Sequence, residues 1–116
     1  MATVLYENNF LYINFINKPK KEQILNFQKS IENTSYLKVN VTVIFDTTKL
    51  IDIPSINTCY QYAKILNKMK VFVDNYVEKA IIMYNNDKII KLIKNVVLKI
   101  FPTKIKLQFI KQNVNQ

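Results

Sequence analysis

Five side chains in this sequence combine a reactive type with a suggestive place: Asp46, Asp52, Ser55, Cys59 and Asp87. Nucleophilic catalysis by a serine or by Cys59 needs a base beside it, most often an imidazole, and the chain has no histidine. Cys59 also falls on the apolar stripe of a helical segment, where a thiol behaves as a small inert hydrophobe. Glycine is absent, so no P-loop or dinucleotide-type turn can bring backbone against phosphate. His and Cys clusters of zinc-site type are missing too. Carboxylates remain. Asp46, Asp52 and Asp87 lie near the ends of strand-like runs and could converge on Mg²⁺. Their ordinary roles are simpler: a helix cap for Asp87, and a strand end bonding backbone N–H groups for Asp46. The expectation is a non-enzymatic protein with no cofactor, no metal and no small-molecule substrate. Ser55 stands apart, because it sits at a helix start where amides and the helix dipole would stabilise an added phosphate. Such a phosphate would bring about −2 charge to a surface that a partner could read; the ordinary role is an N-cap serine with no further function.

The elements that hold these residues follow from the pattern. Thr3 to Tyr6 and Phe10 to Ile16 read as strands, with Asn8-Asn9 as the turn, since asparagine tolerates positive φ. Pro19 suits a first helical position. Ile24, Phe27 and Ile31 then recur at helical spacing until Asn33-Thr34-Ser35 breaks the run. Val39 to Phe45 is a strand ending at Asp46. A connector from Thr47 to Ile53 leads to a helix from Ser55 to Phe72, with Ile56, Cys59, Tyr60, Ala63, Leu66 and Val73 on one stripe. Val77 to Tyr84 is the next strand, and Asp87 caps the helix after it. That helix, Lys88 to Phe101, puts Ile89, Ile90, Ile93, Val96, Val97, Ile100 and Phe101 in one arc. Lys88, Lys91, Asn95 and Lys99 share its other side, flanked by Leu92 and Leu98. Pro102 ends it, and Lys104 to Ile110 alternates as a last strand.

The resulting order, ββαβαβαβ, predicts an α/β fold: one small open, mostly parallel sheet with an N-terminal antiparallel edge. Residues 1–111 are expected to form a single domain and residues 112–116 a frayed tail. With 116 residues and 49% hydrophobic content, the chain can bury roughly two-thirds of its unfolded surface. No apolar run approaches the ~18 residues that span a bilayer, and the start lacks a signal-peptide pattern. One cysteine rules out an internal disulfide and suits a reducing cytoplasmic setting.

All 17 basic residues are lysine, against 8 acidic ones, and the net charge is +9. Abundant Asn, Lys and Ile without Arg or Gly is the composition of an AT-rich genome, which accounts for lysine in place of arginine. It does not account for the excess, which favours acidic partners. Lys88, Lys91, Lys94 and Lys99 are the candidate face for an anionic membrane or nucleic acid. Against nucleic acid stand two facts: most of the seven Tyr and seven Phe fall inside core periods, and no arginine is present.

The segment from Val39 to Leu66 resembles the STAS domain family, typified by anti-sigma-factor antagonists and the cytoplasmic domains of sulfate transporters. Ile44-Phe45-Asp46-Thr47-Thr48 matches that family's central strand end, and Leu50-Ile51-Asp52-Ile53 matches its hydrophobic connector. Pro54-Ser55-Ile56-Asn57 falls at the Asp-Ser-Ser/Thr-Gly turn. Ser55 takes the first hydroxyl position, Ile56 replaces the second, and Asn57 takes the glycine place. The family's final helix has no counterpart after the last strand. Phe45-Asp46-Thr47-Thr48 also faintly resembles the nucleophile strand of haloacid-dehalogenase-type phosphatases, but Thr48 stands where those enzymes carry a second Asp. The STAS resemblance implies a protein-interaction or regulatory module. Its partner edge would be Asp46, Thr48, Asp52, Ser55 and Asn57, with Ser55 as the phosphate acceptor.

Overall fold

Asn8 and Asn9 both adopt positive φ, 52° and 65°, which is the backbone of a two-residue hairpin turn. They join β1 (Ala2–Glu7) to β2 (Phe10–Phe15) in antiparallel register, Glu7 opposite Phe10. The computed structural model describes residues 2–15, 21–36, 38–50, 53–101 and 104–112, and side chains at these positions except 2–7, 21–23 and 26. Pro19, Asp52, Pro102 and residues 113–116 therefore lie outside the described residues.

Five strands form one sheet in the spatial order β1-β2-β3-β4-β5, with β3 at Val41–Asp46, β4 at Val77–Tyr84 and β5 at Lys106–Lys111. Strands β2 to β5 run parallel. The register between β3 and β4 shifts at Val41/Thr42, where Glu78 is an extra residue on β4. Parallel neighbours in sequential order require a helical crossover between each pair, and right-handed crossovers put every helix on one face. Burial follows that rule. Leu11 and Ile13, Val41 and Val43, and Val77, Ala80 and Ile82 are buried on the inner face. Phe10, Tyr12, Ile44, Ile81 and Met83, which alternate with them, keep partial exposure on the other.

Helix α1 (Lys21–Ser35) contributes Phe27 and Ile31 to the core. Asn33-Thr34-Ser35 does not break it. The Thr34 and Ser35 hydroxyls donate back to the Ser30 and Glu32 carbonyls at 2.9 and 2.6 Å, so the last turn absorbs them. The expected second helix is in fact two, α2 (Ile56–Lys68) and α3 (Lys70–Tyr76), meeting at Met69. The Met69 φ/ψ of −99°/20° leaves the helical basin and lets Phe72 and Val73 turn into the core.

The last helical stretch also departs from the expected pattern. It runs as α4 (Asp87–Leu92), a π-helical segment (Ile93–Val97) and α5 (Leu98–Ile100). Asp87 is not its cap. Asn86 is, its side-chain oxygen accepting from the Lys88 amide at 3.0 Å, while Asp87 pairs with Lys111 across solvent at 3.3 Å. The extra residue of a π turn rotates everything after it by about 100°. Of the seven residues expected in one buried arc, only Ile89 and Phe101 are fully buried. Leu92 and Leu98, expected to flank the lysines, are half-buried and face inward. No helix among the described residues is long and apolar enough to cross a membrane.

Candidate functional site

The end of β3 is built from its own short-range bonds. The Asp46 Oδ1 accepts from the Thr48 amide at 2.9 Å and from the Thr48 hydroxyl at 2.5 Å, closing a turn on one carboxylate oxygen. Thr47 is buried between them. Its amide and hydroxyl both donate to the Met83 carbonyl on β4, at 2.9 and 2.8 Å. Asn85 donates its side-chain amide to the Thr48 carbonyl at 3.0 Å. The start of the connector is thereby tied to the carboxyl end of the neighbouring strand, the edge where open α/β sheets usually meet ligands and partners. Sequence reading passes over Thr47 and Asn85, because both bonds reach across more than thirty residues.

Ser55 is the N-cap of α2. At φ −68° and ψ 159° it is extended, and its Oγ accepts from the Thr58 amide at 3.1 Å and meets the Thr58 hydroxyl at 2.9 Å. Ser55 and Asn57 are exposed; Asp46 and Thr48 are half-buried. Asp46 and Thr48 thus form one bonded pair and Ser55 a second centre with Thr58. No hydrogen bond between the two is found among the described residues. Asp52 falls outside those residues. The Mg²⁺ arrangement is not assembled by what is described: Asp46 is engaged by Thr48, Asp87 by Lys111, and no group of three or more His, Cys, Asp or Glu is placed to hold a metal ion.

The first turns of α2 carry a feature that periodicity missed. Ile56 and Tyr60, expected on the core stripe, are 66% and 45% exposed, and Ile53 just before them is 38% exposed. The buried arc of α2 is Cys59, Tyr62, Ala63 and Ile65, centred near Tyr62, so Ile56 and Tyr60 are left on its flank. Lys64 extends this side, its Nζ 5.4 Å from the Tyr60 ring centroid. Cys59 is buried as expected, and burial pushes its thiol pKa up, against reactivity.

Lys88, Lys91, Lys94 and Lys99 are all exposed, and Lys94 lies over the Phe109 ring, 5.2 Å from its centroid.

A sheet in sequential strand order, parallel from β2 to β5 with helices between the strands, is an open α/β fold. Among solved structures, the chain is similar to an uncharacterized protein of the DUF3478 family with a SpoIIAA-like fold, from Shewanella loihica PV-4. It superposes with a TM-score of 0.62 over 97% of this chain and 86% of its own, at 13% identity. At that identity the likeness shows the fold, which is the SpoIIAA-like and hence STAS-like one. No family model matches the sequence, and no curated protein does.

Proposed function

We propose that this chain is a non-enzymatic regulatory or protein-interaction module whose partner meets it at the start of α2 and the connector before it. One observation carries the reading. Ile53, Ile56 and Tyr60 present apolar surface beside the exposed polar groups Ser55 and Asn57. An apolar centre with a polar rim is the composition of a protein-binding patch, and tyrosine is enriched at such sites. The STAS-like fold, commonly an interaction module, supports the same class. Asp46 and Thr48 belong to the rim through the start of the connector, and the reading keeps Asp52, which lies outside the described residues, as a partner-binding residue on the sequence resemblance alone.

Ser55 is the regulatory position in this reading. Its hydroxyl is solvent-exposed and already at the amino end of a 13-residue helix. A phosphate there would sit near free backbone donors and the positive end of the helix dipole, while changing the charge that the partner meets.

The test is a pull-down with the natural-source proteome, comparing wild type with a Thr48→Arg/Ser55→Arg variant and an Ile56→Asp/Tyr60→Asp variant. Loss of a specific partner in both variants, with folding intact, is the expected result. Unchanged binding rejects the edge.

A second reading is peripheral binding of anionic lipid or nucleic acid by Lys88, Lys91, Lys94 and Lys99, favoured by the shared exposure of all four. It requires affinity that falls steeply with salt, measured by sedimentation with anionic liposomes and by nucleic-acid shift assays at two ionic strengths.

A further inference from the structure

One edge of the sheet is β5, and the outer side of that strand is open. The Gln112 amide donates to the Tyr84 carbonyl, which fixes the phase of the strand. Backbone groups alternate sides along a strand, so those of Gln108 and Ile110 also face β4, and those of Leu107, Phe109 and Lys111 face away. No hydrogen bond to these three outward backbone positions is found among the described residues. Such a row of unpaired donors and acceptors is a template for another strand.

Charge is the second and independent observation. After Asp87 the chain has no acidic residue, yet that stretch holds seven of its 17 lysines. Lys94, Lys104, Lys106 and Lys111 are exposed and bracket β5, with the Lys94 Nζ 5.2 Å from the Phe109 ring centroid. Lys106 also stands opposite Lys79 in the β4–β5 register, and like charges side by side across strands are destabilising. Three carboxylates lie near this edge. Asp87 pairs with Lys111 at 3.3 Å, while Asp74 and Glu78 share an open groove with Lys104 and Lys106. No ion pair joins the groove's acids to its lysines among the described residues.

We propose that β5 receives an extended, acidic segment of a partner protein as a further strand of the sheet. The backbone edge supplies hydrogen bonds whatever the sequence, and the lysines select the sign of charge. Side chains on neighbouring strands lie ~5 Å apart. Carboxylates on the added strand would therefore meet Lys106 on the open face of the sheet, and Lys94 and Lys111 on the helix side. The same lysines disfavour β5 of a second copy, because pairing would set like charges together. A lipid surface or a nucleic acid answers the charge but leaves the outward amides unpaired. This edge is separate from the start of α2 and does not rest on that surface.

The test uses the full chain and a fluorescein-labelled octapeptide of alternating Glu and Val. Two controls carry Gln in place of Glu, or the acidic sequence N-methylated at every amide. Binding is read by fluorescence anisotropy, and exchange of single amides by NMR. The acidic peptide is expected to bind, less tightly as salt rises, and at saturation to slow exchange at Leu107, Phe109 and Lys111 by about tenfold. The Gln peptide should bind more weakly and the N-methylated peptide not at all. Lys94→Gln/Lys106→Gln should weaken the acidic peptide by about fivefold and leave the Gln peptide unchanged. The proposal is overturned if the acidic peptide does not bind, if N-methylation leaves binding intact, or if binding leaves the three amides unprotected. It is also overturned if anionic liposomes or a single-stranded oligonucleotide protect those amides, or if protection in the free chain grows with protein concentration, the mark of a second copy.

Discussion

Thr47 and Met83 are joined twice through one atom: the Met83 carbonyl oxygen accepts the Thr47 amide at 2.9 Å and the Thr47 hydroxyl at 2.8 Å. The second bond is not part of the strand ladder, and it fixes the direction in which the connector leaves β3. Thr47→Val keeps the shape and the amide bond but removes the hydroxyl. The expected cost is ~1 kcal/mol in denaturant-unfolding free energy. Faster amide hydrogen exchange at Thr48 and Leu50 should accompany it, because the connector loses an anchor. Unchanged stability and exchange would show that the hydroxyl bond is dispensable.

Ser55 can be separated into a capping role and a signalling role. Ser55→Ala removes the acceptor for the Thr58 amide and should destabilise the protein by ~1 kcal/mol. Ser55→Asp restores an acceptor and places negative charge at the helix start, so its melting temperature should match or exceed wild type. A Ser55→Ala variant as stable as wild type would contradict the cap.

The fate of the α2 stripe shows how far sequence reasoning reached. The hairpin was legible because Asn8-Asn9 is a local instruction, and β2 and β3 were legible as strands from their short apolar runs, although those runs do not say which residues face the helices. The burial of Cys59 was legible from the helical period of its apolar stripe. Ile56 and Tyr60 were not: periodicity gives an angle around a helix axis, but not which neighbours lie across from it or where along the axis they end. The π turn after Leu92 was equally hidden, because Ile89 to Phe101 satisfies an ordinary helical period along its whole length. Of the candidate site, the Asp46–Thr48 turn and the Ser55 cap came from short-range signals, whereas the Thr47–Met83 and Asn85–Thr48 bonds depend on strand order.

Tyr62 gives a pH signature with a definite sign. Its folded-state pKa, about 12, lies above the ordinary phenol value of 10.0, so the folded protein retains a proton that the unfolded chain releases. The associated stability is fully present below pH 10 and is lost as pH rises from 10 to 12, on the order of 2 kcal/mol. Because lysines titrate in the same range, the quantity to measure is the difference in unfolding free energy between wild type and Tyr62→Phe at pH 8 and at pH 11.5. Tyr62→Phe should gain on wild type at the higher pH. A difference that stays constant would contradict the shift.

Phe27 tests the core beneath α2. It is fully buried and meets the Tyr62 ring edge-on at 4.9 Å. Phe27→Ala should cost ~3–5 kcal/mol, a large part of the stability of a domain this size, and calorimetry should find it largely unfolded at 37 °C. A loss below ~1 kcal/mol would mean that this corner of the core is already loose.

The direct test of the interaction edge is quantitative co-purification with natural-source proteins for three chains: wild type, Ile56→Asp/Tyr60→Asp, and Val71→Asp. Val71 is an exposed apolar residue on α3, outside the proposed edge, and serves as the surface control. All three should melt within a few degrees of one another, since surface substitutions change stability little. The expected result is a stoichiometric partner retained by wild type and Val71→Asp and depleted about tenfold or more by Ile56→Asp/Tyr60→Asp. Equal retention by all three chains, or loss in Val71→Asp alone, would contradict it.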